Sequence, residues 1–152
     1  MFLLWFFFEL NHINIAKFNI SIIIKNTLGS GVLSMNTRFS QSQSTTDSLE
    51  AMRRFSQAYA KRTGTFFCSD VNVTAVVIEG LAKHKDQYGA PLCPCRHYQD
   101  KEKEVLNSYW NCPCVPMRER KECHCMLFLT PDNEFSSDKQ SIKFERLLSE
   151  IS

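Results

Sequence analysis

Apolar side chains recur at helical spacing in a stretch that begins near residue 47. The members of this stripe are three or four residues apart: Leu49, Met52, Phe55 and Tyr59. Asp47 with Glu50 three residues later has the form of a capping box, and Gly64 follows the last apolar position. The pattern predicts an amphipathic helix from Asp47 to about Gly64, with its apolar stripe in the core.

A second helix is predicted after residue 69. Ser69 or Asp70 offers a side-chain oxygen that can cap the first turn. Apolar residues then share one helical face: Val73, Val77 and Leu81. The β-branched valines would also suit a strand over part of this segment, but the spacing favours a helix through about Lys85.

Two shorter helices complete the pattern. We expect one from Asp100 to about Tyr109 and another from Ser141 to Ile151, where apolar residues repeat at three and four. Residues 126 to 130 are apolar enough for a short buried strand or extended segment. The chain is therefore predicted to be mainly α, a compact small domain of about four or five helices.

Composition and charge narrow the class of protein. The chain has 152 residues, of which 43% are apolar and 22% charged, values that are ordinary for one globular domain. The net charge of +2 gives no field strong enough to indicate nucleic-acid binding. The apolar runs are interrupted too often to form a membrane span, which needs about 20 mostly apolar residues.

The first 34 residues differ from the rest of the chain. They are rich in Phe, Ile and Asn, carry only Glu9, Lys17 and Lys25 as charges, and contain no arginine. Neither a secretory signal nor a transit peptide has this composition. We interpret residues 1 to 34 as a spurious upstream extension, with a disordered or weakly membrane-attracted leader as the alternative. Residues 35 to 46 are expected to form a flexible polar tail, and residues 47 to 152 the functional domain.

Six of the seven cysteines lie in three Cys-x-Cys pairs: Cys93 with Cys95, Cys112 with Cys114, and Cys123 with Cys125. Sixteen residues separate the first two pairs and eight the last two, and proline stands inside the first two pairs. Four thiolates complete an iron-sulfur or zinc site, which leaves two sulfurs for a redox-active disulfide. A structural zinc site and a secreted scaffold of three disulfides are the alternatives, although Cys-x-Cys differs from the usual Cys-x-x-Cys zinc knuckle.

The three pairs at these spacings closely resemble the catalytic chain (beta subunit) of ferredoxin-thioredoxin reductase. The resemblance covers roughly residues 47 to 135 and includes three flanking segments: Gly89-Ala90-Pro91-Leu92, Arg96-His97-Tyr98, and Pro116-Met117-Arg118-Glu119-Arg120-Lys121-Glu122. It implies that four cysteines ligate one 4Fe-4S cluster: Cys93, Cys112, Cys114 and Cys123. It also implies that Cys95 and Cys125 form the active-site disulfide, with both groups held in inter-helix loops.

The resemblance implies a reaction as well. Electrons pass one at a time from reduced ferredoxin through the cluster to the disulfide, which reduces thioredoxin. The resemblance implies that Cys95 is the exposed attacking thiol and Cys125 the cluster-facing one, whereas the residues alone leave an exchange of these two roles open. His124 is expected to serve as a catalytic proton donor or acceptor, because imidazole titrates near neutral pH and its neighbours are a predicted ligand and a predicted redox cysteine.

Partners and compartment are implied in the same way. We expect a heterodimer with a smaller variable subunit, in the plastid stroma and plastid-encoded, with the cytoplasm of a photosynthetic bacterium as the alternative. Basic residues between the second and third pairs suit an acidic ferredoxin: Arg118, Arg120 and Lys121. A solvated loop is equally compatible with these charges, because Glu119 and Glu122 cancel much of the field.

Overall fold

The computed structural model describes residues 33 to 152, with side-chain surroundings from residue 45 onward. Five helices follow along this range: α1 (Leu33–Thr63), α2 (Val71–Tyr88), α3 (Lys101–Asn107), α4 (Val115–Arg120) and α5 (Phe144–Ile151). Extended pairing in this range is limited to three isolated antiparallel bridges. The predicted mainly α fold is confirmed, and all three cysteine pairs lie in loops between helices. The leader expected over residues 1 to 34 lies outside the described residues, apart from its last two positions.

Helix α1 begins 14 residues before the predicted start at Asp47. Residues 35 to 46, for which a flexible tail is predicted, therefore have helical backbone. These residues include neither Gly nor Pro, so no helix breaker separates them from the amphipathic stretch. The predicted end is confirmed, because α1 stops at Thr63 and Gly64 adopts a left-handed φ of 65°.

Helix α2 is confirmed as a helix, and the strand alternative is wrong. The Asp70 carboxylate accepts a hydrogen bond from the Asn72 backbone N–H at 2.9 Å, as expected of an N-cap. The helix runs three residues past Lys85 and ends at Gly89, whose left-handed backbone places its N–H on the Lys85 carbonyl oxygen.

The other elements match the sequence prediction less evenly. The Asp100 side chain caps α3, at the predicted start of this helix, by accepting from the Lys103 N–H. Helix α4 is absent from the predicted elements because its six residues bury only Pro116 and Met117, too few for a periodic stripe. In the apolar segment from 126 to 130, Leu129 forms an antiparallel bridge with Phe66, and the three central residues are buried.

Helix α2 lies at the centre of the core. It packs against α3 and more extensively against α5. Its fully buried Ile78 and Leu81 share the core with Phe128 and with Leu147 of α5. Helix α2 also approaches the cysteine loops. The core therefore fixes the position of the helix on which those loops pack. None of the described helices is both long and apolar enough to traverse a lipid bilayer.

Neighbouring leucines on α5 test this packing. Leu147→Ala should lower the free energy of unfolding by about 2–5 kcal/mol, because Leu147 is 0% exposed and its removal leaves a cavity in the core. Leu148→Ala is the matched control, since Leu148 is 37% exposed. Chemical denaturation of both variants checks the difference, and equal losses would contradict the packing described.

Candidate functional site

The three cysteine pairs converge on one cavity of about 490 Å³. Five of the six paired cysteines line it: Cys93, Cys112, Cys114, Cys123 and Cys125. The predicted proton carrier His124 lines the same wall, together with apolar side chains of the core. Cys95, the sixth paired cysteine, lies outside that wall and is exposed. The structure therefore brings all four predicted cluster ligands to one cavity, and Cys95 is the one paired cysteine that does not line it.

Three sulfur atoms form a compact group at the edge of this cavity. The Sγ atoms of Cys93, Cys95 and Cys125 all lie within 4.8 Å of one another. The predicted redox partners Cys95 and Cys125 are thus close enough to react. Within the group, Cys125 Sγ lies 2.7 Å from Cys93 Sγ, so a predicted redox cysteine is in contact with a predicted ligand. Cys93 and Cys125 are both only 7% exposed, in contrast to Cys95.

The two predicted redox cysteines differ in their affinity for a proton. A hydrogen bond from Cys125, assisted by one from Cys93, lowers the pKa of Cys95 to about 4. Hydrogen bonds to Cys93 and then Cys95, with burial, raise the pKa of Cys125 well above its ordinary value. When both sulfurs are reduced, Cys95 carries the negative charge and Cys125 keeps its proton. Since the thiolate is the nucleophile, Cys95 has the charge and the access that attack requires.

The other three cysteines of the cavity favour the protonated form as long as no cation is near. Burial raises the pKa of Cys123 to about 11 and that of Cys112 well above its ordinary value, and it raises the pKa of Cys114 as well. Metal binding requires the thiolate and releases these protons, and the positive charge of the metal offsets the cost of burying several thiolates side by side. Soft sulfur donors around a cavity with apolar walls fit an iron-sulfur group.

Backbone hydrogen bonds hold the first two cysteine pairs against each other. Cys93 N–H donates to the Trp110 carbonyl at 3.0 Å, and Cys112 N–H donates to the Pro91 carbonyl at 2.9 Å. These bonds surround the antiparallel bridge between Leu92 and Asn111. As a result, one cysteine of each pair occupies a fixed place in the cavity wall.

Local turns place the remaining cysteines. Cys114 is the N-cap residue of α4, and its carbonyl accepts from the Arg118 N–H at 3.0 Å. In the third pair, the Met126 N–H donates to the Cys123 carbonyl at 3.0 Å, and Met126 adopts a left-handed φ of 57°. This tight turn allows both Cys123 and Cys125 to reach the cavity.

Two residues near the site have no counterpart in the sequence prediction. The Arg96 guanidinium carbon lies 3.7 Å from the centroid of the Trp110 ring, and both side chains line the cavity. Arg96 directly follows Cys95, so the stack fixes a positive charge beside the exposed thiol. Arg96 and Trp110 are 14 positions apart, so no local sequence pattern predicts their contact. The only indication in the sequence was that each residue lies close to a paired cysteine.

The basic residues between the second and third pairs are partly neutralised. Arg120 forms an ion pair with Glu122 at 3.0 Å and a longer one with Glu119 at 3.9 Å. Lys121 instead reaches the Thr63 carbonyl at 3.4 Å, and Arg118 is exposed. The net positive field of this segment therefore comes chiefly from Arg118 and Lys121, and a role in docking stays a prediction.

A small helical domain whose loops gather cysteines around one cavity fits an iron-sulfur oxidoreductase. Residues 42–150 match the family model for the ferredoxin thioredoxin reductase catalytic beta chain, and the chain belongs to this family. The chain is 76% identical over 105 residues to the ferredoxin-thioredoxin reductase, catalytic chain, of Porphyra purpurea, covering 69% of this chain and 89% of that protein.

Relatives outside the red algae are almost as similar. The catalytic chain from Synechocystis is 72% identical over 99 residues, which cover 65% of this chain and 84% of the relative. The chloroplastic catalytic chain of Oryza sativa subsp. japonica is 70% identical over 100 residues, covering 66% of this chain and 68% of that protein. The family predicted from the cysteine pattern is thereby confirmed.

The asymmetry between Cys95 and Cys125 predicts an order of chemical labelling. In the reduced protein, a short pulse of iodoacetamide at neutral pH should modify Cys95 roughly tenfold faster than Cys125, because Cys95 is exposed and has the lower pKa. Tandem mass spectrometry of the peptides locates the label. The buried Cys68 serves as an internal control that should stay unmodified. Faster labelling of Cys125 would contradict the assignment.

Proposed function

We propose that this chain transfers electrons from reduced ferredoxin, through a 4Fe-4S cluster, to a Cys95–Cys125 disulfide that reduces thioredoxin. One observation carries the proposal: the buried sulfur of Cys125 lies within 4.8 Å of an exposed thiol, Cys95, and 2.7 Å from a sulfur of the cavity wall, Cys93. A disulfide at that place has one sulfur accessible to a protein substrate and one facing the cavity. Such an arrangement suits a disulfide that receives electrons from the inside and passes them to the outside.

The proposed cluster ligands are the other four paired cysteines: Cys93, Cys112, Cys114 and Cys123. A bound cluster would supply single electrons to the neighbouring disulfide. A single zinc ion would need four sulfurs at about 2.3 Å, and hence about 3.8 Å apart. Among the described residues, the compact sulfur group contains only Cys93 of these four. The spread of the remaining ligands around the cavity supports a group with several metal atoms.

Cys95 carries the covalent chemistry in the proposed reaction. Its thiolate attacks one sulfur of the thioredoxin disulfide, which forms a mixed disulfide and releases the other thioredoxin sulfur as a thiolate. The Cys125 sulfur then attacks the Cys95 sulfur of the mixed disulfide, which breaks the bond between Cys95 and thioredoxin, releases the second thioredoxin sulfur as a thiolate and restores the Cys95–Cys125 disulfide. Over the cycle, two electrons from two reduced ferredoxins and two protons convert the thioredoxin disulfide into two thiols. Cys125 stays protected by burial during the stage in which Cys95 is bound to the substrate.

His124 is proposed to move protons in this cycle. It lies between Cys123 and Cys125 in sequence and lines the same cavity wall. Each thiolate released from a disulfide needs a proton, and the exposed imidazole of His124 has ring nitrogens that can both accept and donate one. This position allows His124 to protonate a leaving thiolate without itself forming a covalent bond.

The proposed partners are ferredoxin, thioredoxin and a smaller variable subunit that completes a heterodimer. The relatives' names include both ferredoxin and thioredoxin, and the designation as a catalytic chain supports a second type of subunit. Arg118 and Lys121 offer positive charge to an acidic ferredoxin. The plant relatives are named chloroplastic, which supports the plastid stroma, and the relative from Synechocystis supports the cytoplasm of a photosynthetic bacterium. We further propose that this chain is plastid-encoded.

Metal analysis tests the proposed cofactor. Anaerobically purified protein should contain about four iron and about four sulfide per chain, with broad visible absorption. Cys112→Ser or Cys114→Ser should remove the iron, because each takes one proposed ligand from the set, whereas Cys68→Ser should retain it. About one zinc per chain without sulfide would refute the cluster and indicate a structural zinc site.

Two substitutions separate the proposed redox cysteines from the ligands. Cys95→Ser should keep the cluster and abolish thioredoxin reduction, since the attacking sulfur is lost. Cys125→Ser should also keep the cluster but trap a mixed disulfide between Cys95 and thioredoxin, because the resolving sulfur is missing. A non-reducing gel detects this species, and dithiothreitol should reverse it. Loss of iron in Cys95→Ser, or capture of thioredoxin through Cys93, would overturn the division of roles.

A further inference from the structure

Gly80 is the one glycine inside helix α2, where alanine would be the more favourable residue. Its backbone does not have the positive φ of Gly64 and Gly89, so conformational freedom does not explain it. The lack of space around position 80 explains why a glycine is found there. A methyl group added at Gly80 would lie 2.6 Å from Cβ and 3.0 Å from Cγ of Pro94, distances at which atoms collide. Gly80 therefore permits a close approach between α2 and the ring of Pro94.

Pro94 is the residue between Cys93 and Cys95, so this contact bears directly on both sulfurs. The proline ring fixes φ at that position and makes the Cys-Pro-Cys segment stiff. A displacement of the ring therefore moves its two neighbours rather than being absorbed by backbone rotation. The sulfurs of both neighbours belong to the compact group in which Cys93, Cys95 and Cys125 all lie within 4.8 Å of one another, so a displaced ring changes these distances.

A second residue on the same face of α2 holds the segment one turn further along. His84 Nδ1 donates to the Leu92 carbonyl at 2.7 Å, which leaves Nε2 to accept from the Lys101 ammonium at 3.0 Å. His84 is four residues after Gly80 and therefore shares its face. The loop is thus fixed to α2 on both sides of Cys93, by a hydrogen bond at Leu92 and by packing at Pro94.

We propose that Gly80 is a positioning residue for the reaction: its missing side chain sets the depth at which Pro94 rests and so the place of the Cys95 sulfur. The inference rests on the proposed function, in which Cys95 attacks the substrate. Gly80 contacts neither substrate nor cofactor and acts through Pro94 alone. A methyl group at position 80 moves Pro94 outward, and Cys95 moves away from the hydrogen bond of Cys125.

The test is Gly80→Ala in the full chain with its cluster. The kcat for thioredoxin reduction should fall about tenfold, since a small misplacement of a reacting group is costly. The iodoacetamide labelling rate of Cys95 should also shift, since its sulfur leaves its present place beside Cys93 and Cys125. Iron and sulfide content and KM for thioredoxin should stay unchanged. Gly64→Ala is the control, because its added methyl meets nothing within 4 Å and its strained φ lowers stability without touching Pro94.

A second substitution isolates the contact itself. Pro94→Gly removes both ring atoms that the new methyl would meet, so Gly80→Ala should have no further effect on the labelling rate in that background. If Gly80→Ala alone fails to fold or loses iron, recovery in the Gly80→Ala/Pro94→Gly double variant supports the proposal, and failure to recover overturns it.

Two further outcomes are decisive. Wild-type labelling and wild-type kcat in Gly80→Ala would overturn the positioning role. If the unsubstituted protein labels at a cysteine other than Cys95, the proposed function fails instead, so the two hypotheses are refuted by different measurements.

Discussion

Two backbone hydrogen bonds join the loops that carry the first four paired cysteines. The N–H groups of Cys93 and Cys112 each donate across the gap, to the carbonyls of Trp110 and Pro91. Since both donors are the cysteines themselves, the bonds that close the loops also set the sulfur positions. The helices supply the frame for this arrangement: α2 and α3 flank the first loop, and α4 begins at the end of the second. The rest of the site depends on this pairing, because the third cysteine pair completes a wall whose other members are already fixed.

Burial gives different acidities to cysteine sulfurs that are otherwise chemically alike. Cys123, in the cavity wall, retains its proton unless a cation replaces it, whereas exposed Cys95 is the most acidic sulfur of its group. Cys125 is buried and keeps its proton as well, although its sulfur lies within 4.8 Å of that of Cys95. Burial and hydrogen bonding thus give these cysteines different tasks without any change in residue type.

The sequence was sufficient to predict the helices that combine a periodic apolar stripe with a recognisable residue at one end. Asp70 is the N-cap of α2 that the pattern offered, α3 begins directly after Asp100, and the amphipathic part of α1 ends before Gly64 as expected. The sequence prediction missed α4, which has two buried residues and so no periodicity, and it set the start of α1 too late because a capping motif is not itself a break. Cysteine spacing predicted the family. It contained nothing on which sulfur is exposed, since that depends on contacts such as Gly80 with Pro94, which are distant in sequence.

The stack of Arg96 on Trp110 makes the fluorescence of Trp110 a reporter of the conformation of the first cysteine loop. Trp110 is one of only two tryptophans in the chain, and its indole forms part of the cavity wall. Indole emission responds to charge and to nearby absorbing groups. The guanidinium at 3.7 Å belongs to the residue that follows the exposed thiol, so a shift of that loop changes the surroundings of the fluorophore. Chemical changes at the sulfurs are thereby coupled to the fluorescence of Trp110, whose side chain takes no part in the chemistry.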